Sequence, residues 1–173
     1  KASKRILGAQ IWLNLPAKDK MAAPAYNGIV KNDIPVIDEG DKKIHIIAGV
    51  YNGQAGAVQG DYVKPLYLDV ELNPGAEWTL ATDKEATLFV YTVEGDGYFG
   101  AGSDNFVPVK HAILFDEAPT FQVKAGDKGL RLFLWSARPL KEPIAWGGPI
   151  VMNTREELNL AFKELEENKF IKH

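Results

Sequence analysis

The clearest pattern along the chain is the alternation Leu66-Tyr67-Leu68-Asp69-Val70-Glu71-Leu72. A period of two puts Leu66, Leu68, Val70 and Leu72 on one face of a strand and Tyr67, Asp69 and Glu71 on the other. Asn73-Pro74-Gly75 follows and stops it with strong turn chemistry. Similar short runs occur at Ile11-Trp12-Leu13 and residues 43–48, 88–93, 112–115, 120–124 and 130–136. Gly95-Asp96-Gly97 is expected to turn the 88–93 strand back into Tyr98-Phe99. Many short strands separated by Gly and Pro predict an all-β sandwich or barrel.

The last segment changes period. Thr154-Arg155-Glu156-Glu157 fits a capping box, with Thr154 as N-cap and Glu157 reaching back. Leu158, Ala161, Phe162 and Leu165 then recur at helical spacing. They predict one amphipathic helix from about residue 155 to 168, docking that stripe on the sandwich.

Composition narrows the classes. The 173 residues suffice for one substantial core, and 46% hydrophobic with 25% charged residues is ordinary for a globular protein. No apolar run approaches the roughly 20 residues of a membrane helix, and no signal-length apolar stretch follows the basic start Lys1-Ala2-Ser3-Lys4-Arg5. A net charge of -3 and pI near 5.7 argue against direct nucleic-acid binding. Zero cysteines exclude disulfides, thiol catalysis and thiolate metal sites. The expected location is the cytoplasm.

Several motifs carry candidate chemistry. Gly95-Asp96-Gly97-Tyr98-Phe99-Gly100 matches G-x-G-x-x-G, but loop chemistry follows it where a dinucleotide site needs a helix N-terminus. His45, His111 and His173 are scattered, with no pair at ligand spacing, so no metal site is expected in this chain. Asp69 and Glu71 lie about 6 to 7 Å apart on one strand face, within reach of paired-carboxylate chemistry. The simpler reading makes them the solvent side of a half-exposed strand. No G-x-S-x-G nucleophile elbow occurs. Trp78, Tyr91 and Trp135 are the candidate barrel-lining residues, and Trp146 is a further aromatic.

Two stretches carry a family resemblance. Residues 142–157, Glu-Pro-Ile-Ala-Trp-Gly-Gly-Pro-Ile-Val-Met-Asn-Thr-Arg-Glu-Glu, resemble the closing signature of the pirin family of two-domain cupins. Residues 7–21 resemble the family's mid-chain junction, where the first cupin hands over to the second. The resemblance implies a C-terminal pirin cupin: a β-sandwich or barrel of the double-stranded β-helix, jelly-roll-like type, with one C-terminal amphipathic helix. It implies an inter-domain strand and linker at 1–22, a cupin at 23–152, and a helix at 153–173 packed on the sandwich. The family's iron ligands belong to the N-terminal cupin, so iron is expected there and no cofactor here. The function expected for this chain is a metal-free scaffold or interaction domain. The alternative is that the parent protein is an iron-dependent quercetin 2,3-dioxygenase-like oxidoreductase or a redox-sensing transcriptional co-regulator. The implied partner is the N-terminal cupin half. Ile11, Trp12, Leu13 and Leu15, read as a strand at the junction, are expected to contact that half or to self-associate.

Overall fold

The computed structural model describes residues 7–102 and 105–172. The basic cluster at 1–5, Ile6 of the junction segment, Ser103 and Asp104 of the glycine-rich loop, and His173 lie outside the described residues. The described chain forms two compact units, one of residues 25–139 and one of residues up to Pro24 together with residues from Leu140 onward.

The first unit is all-β. Its strands are β1 (Val36–Asp38), β2 (Lys42–Ala48), β3 (Val50–Tyr51), β4 (Gln54–Ala55), β5 (Leu66–Leu72), β6 (Glu77–Ala81), β7 (Thr87–Phe99), β8 (Phe106–Val107), β9 (Ala112–Phe115) and β10 (Thr120–Ala137). The main sheet runs β1-β2-β5-β10-β7-β8, with β6 also on β10 and β9 also on β7. All these pairings are antiparallel. β10 pairs with β6 through residues 120–124 and with β5 through residues 130–136, so one strand serves both halves of the sandwich.

The alternation at 66–72 holds: Leu68, Val70 and Leu72 are buried in the main core with Ile44, Ile46, Leu132 and Leu134. Each fully buried aliphatic side chain contributes about 1.5–3 kcal/mol. Thr92 is wholly buried yet satisfied, because its Oγ1 accepts the His111 N–H at 2.9 Å and donates to the Pro108 carbonyl at 2.9 Å.

Two expectations about strands change. Gly95-Asp96-Gly97 is no hairpin turn but part of the C-terminal third of the 13-residue β7, and residues 120–136 form one strand rather than two. The register slips opposite this point, between Ala125 and Leu130. Gly95 (φ 71°) and Gly129 (φ 76°) face each other there, and a Cβ on Gly95 would stand 1.9 Å from the Gly129 carbonyl oxygen. The glycines therefore bend two paired strands together, as a barrel corner requires.

The second unit contains the hairpin β11 (Ala145–Gly147) and β12 (Ile150–Met152), the helix α1 (Arg155–Glu166), and the segment 7–24. The hairpin, assigned by the sequence to the cupin, groups here with the helix. The capping box forms: Thr154 Oγ1 accepts the Glu157 N–H at 3.1 Å, and Glu157 Oε2 accepts the Thr154 N–H at 2.9 Å. The expected docking stripe is only half right. Leu158 and Ala161 are buried with Ile150 of the hairpin, whereas Phe162 and Leu165 are 36% and 49% exposed. Within this unit the helix rests on the β11–β12 hairpin, and a two-stranded platform is too narrow to cover the whole stripe.

Candidate functional site

The interior of the first unit is occupied by its own side chains. Trp78 and Leu80 from β6, Leu88, Val90 and Phe99 from β7, and Phe121 from β10 are all buried in one cluster. Trp78 sits in this cluster, and its Nε1 donates to the Tyr51 hydroxyl at 3.0 Å. It also borders two open hollows of about 290 and 420 Å3 on either side of β6.

Tyr91 and Trp135 do not line the barrel. They belong to a second cluster with Phe133, Val93, Phe89 and Tyr67. The reason is parity: Val90, Leu132 and Leu134 point inward, so Tyr91, Phe133 and Trp135 must point to the opposite face. Trp135 is sandwiched between Phe89, stacked at 4.7 Å, and Tyr67, at 5.1 Å. Its Nε1 is buried with no hydrogen-bond partner among the described residues.

Of the two carboxylates, Glu71 is exposed as the solvent-side reading expects, and Asp69 departs from it. Asp69 is buried and accepts two hydrogen bonds from Arg131, Nε to Oδ1 at 2.9 Å and Nη2 to Oδ2 at 2.7 Å. Those hydrogen bonds hold the guanidinium firmly protonated, well above its ordinary value. Glu71 lies 3.4 Å from His45 Nε2. His111 turns its Nδ1 to the Val109 carbonyl at 3.0 Å. Among the described residues no three His, Asp or Glu side chains converge as metal ligands. The apolar interior and the dispersed histidines do not fit the iron that the fold family suggests.

In the second unit, residues 7–15 are irregular chain and not the expected strand. A strand needs a backbone partner along its length, whereas this segment is tied through its end. Lys20 Nζ donates to Asn14 Oδ1 at 2.7 Å and to the Val151 carbonyl at 3.1 Å, while the Ala17 N–H donates to Glu142 Oε2 at 2.8 Å. Burial lowers the pKa of Lys20 against the opposing pull of Glu142 and Glu157. Trp12, Leu13 and Leu15 thereby line a groove of about 390 Å3 with Ile150, Met152 and Phe170. Trp12 remains 60% exposed and Leu13 52%, and Ile11 is exposed beside them.

With this geometry in view, comparison with known proteins decides the family. The model of the pirin C-terminal cupin domain matches residues 67–171. The chain belongs to the pirin family. It is 35% identical to a pirin-like protein of Caulobacter vibrioides over 170 residues, covering 96% of this chain and 59% of the relative. Human pirin is 32% identical over 164 residues, with 94% and 56% coverage. Among solved structures, quercetin 2,3-dioxygenase from Acinetobacter baumannii superposes with a TM-score of 0.82 at 32% identity, over 92% of this chain and 55% of that one. The chain spans 52% to 66% of the length of the curated relatives it matches. The sandwich is thus a cupin fold with one C-terminal helix. No helix among the described residues is long and apolar enough to cross a membrane.

Proposed function

We propose that this pirin-family cupin is a metal-free scaffold and interaction domain for an iron-binding cupin, the N-terminal half of a two-cupin protein. The observation that supports the reading is the filled interior, where Trp78, Leu80, Leu88, Val90, Phe99 and Phe121 form one buried apolar cluster. The exposed Ile11, Trp12 and Leu13, with Leu15 in the groove, form the contact for that partner half. Exposed apolar patches of this kind mark interfaces. The domain works in the cytoplasm.

The test has two arms. Elemental analysis of protein purified without chelator, followed by iron titration, is expected to give no stoichiometric metal after dialysis. Mixing with a separately produced N-terminal pirin cupin is expected to give a complex that Trp12→Asp weakens. Retained iron, or a complex indifferent to Trp12→Asp, overturns the reading.

A second reading rests on the 32% identity to the quercetin 2,3-dioxygenase. In it the two-cupin parent oxidises a flavonol and this half shapes the cavity. Turnover of quercetin that appears only when both halves are combined supports it, and absence of turnover in the reconstituted pair rejects it.

A further inference from the structure

β6 pairs with β10 along one side, and among the described residues no strand pairs with its other side. The register says which backbone groups face that free side. The Ala125 N–H donates to the Ala76 carbonyl at 2.9 Å, and the Thr82 N–H donates to the Pro119 carbonyl at 3.0 Å. In an antiparallel pair, residues that bond across alternate with residues that do not. Positions 76, 78, 80 and 82 therefore bond to β10, and the N–H and C=O groups of Glu77, Thr79 and Ala81 point the other way. An open hollow of about 420 Å3 runs beside them. Buried Trp78 and Leu80 and exposed Glu77, Thr79 and Ala81 all line it, as only a space along the strand's edge allows. The rest of its wall includes Tyr51, Leu66, Glu39 and Lys42.

We propose that this edge takes up an extended peptide segment of another protein, added to the sheet antiparallel to β6. An unpaired edge strand is a template for such pairing. Backbone bonds give these additions their affinity, and alternate side chains give them their specificity. Segment residues opposite Glu77, Thr79 and Ala81 point outward as those residues do, and the residues between them point inward. The inward ones meet Tyr51, Leu66, Trp78 and Leu80 and must be apolar. The outward ones meet a surplus of negative charge. Glu39 and Glu77 face the hollow against a single lysine, Lys42, which is already 3.5 Å from Glu39 and 2.9 Å from Asp41. Glu77 also has Lys124 at 2.9 Å, but both side chains of that pair are more than half exposed, so solvent and salt screen it. The segment that fits is therefore apolar inward and basic outward. The inference does not rest on the scaffold reading and uses other residues.

Calorimetric titration of the chain with an end-blocked Val-Lys-Val-Lys-Val peptide tests it. Binding is expected, and the Val-Glu-Val-Glu-Val counterpart should bind about tenfold more weakly. In the antiparallel register the lysine N–H groups face β6 and the valine N–H groups face away. N-methylation at the lysines should then weaken binding about tenfold or more, and N-methylation at the valines should change it little. Thr79→Pro removes one N–H from the free edge and no bond to β10, so it should weaken binding about tenfold with the melting curve unchanged. Thr79→Val keeps that N–H and should bind as the parent does. If Thr79→Pro does not fold, the two methylated peptides decide alone. No binding up to about 1 mM, equal binding of the basic and acidic peptides, or equal binding of the two methylated ones overturns the proposal. Self-association abolished by Thr79→Pro, with no peptide bound, also overturns it and makes a second copy the occupant.

Discussion

Arg131 reaches diagonally across the β10–β5 pair to Asp69, although its direct register partner is Glu71. The diagonal contact is a two-pronged one, and it leaves Asp69 buried while the guanidinium is partly exposed. Removing only the carboxylate strands a partly desolvated cation. Asp69→Ala is therefore expected to cost about 2 kcal/mol, below the roughly 3–5 of a fully buried broken pair. Replacing both partners, as in Asp69→Leu with Arg131→Met, should recover most of that loss. Urea melts of the two variants against the parent check the order.

Tyr67, beside this pair, gives a prediction in pH. Burial, then the Asp69 charge, raises its pKa above the ordinary 10.0, with Arg131 opposing. The folded chain thus keeps the phenolic proton where the unfolded chain has lost it. Stability from this group is complete below pH 10 and is lost as pH rises through the folded-state value. Of the six tyrosines, Tyr67 should give a late ionisation step, above the ordinary value, in a spectrophotometric titration. Tyr67→Phe should remove that late step and flatten the alkaline fall in stability.

The strand corner predicts a severe backbone effect. Gly95 combines a positive φ with a carbonyl oxygen 1.9 Å from the site of a Cβ. Gly95→Ala is expected to cost about 3 kcal/mol or more, since strain and clash act together. Gly148→Ala, also at positive φ but with nothing within 4 Å, should cost only about 1 kcal/mol. Thermal melts of the two variants compare them directly.

Helix docking separates its stripe. Leu158 is 1% exposed and Phe162 36%. Leu158→Ala should cost about 2–5 kcal/mol of the second unit's stability and Phe162→Ala about 1. Thr154→Ala should cost about 1 kcal/mol through the lost cap. Hydrogen exchange of the helix amides in each variant measures these losses. A larger loss for Phe162→Ala than for Leu158→Ala would mean that the helix docks through another face.

What the sequence determined by itself is local. The alternation at 66–72 needs only a period of two, and the Thr154–Glu157 box only a spacing of three, so both form as read. The end motifs carried the family and with it the cupin fold. Tertiary structure decided whatever depends on a partner distant in the chain. Gly95-Asp96-Gly97 has turn composition, yet its pairing with residues 125–130 draws it into one bent strand. Residues 11–13 have strand alternation, yet Lys20 and Ala17 tie the segment to Val151 and Glu142, leaving it irregular. Parity could have told that Tyr91 and Trp135 oppose Val90 and Leu134. Which face becomes the barrel interior is set only when the sheets close. Asp69, which the alternation places on the other face, is nonetheless buried with Arg131, because burial depends on what packs against a face and not on the strand alone.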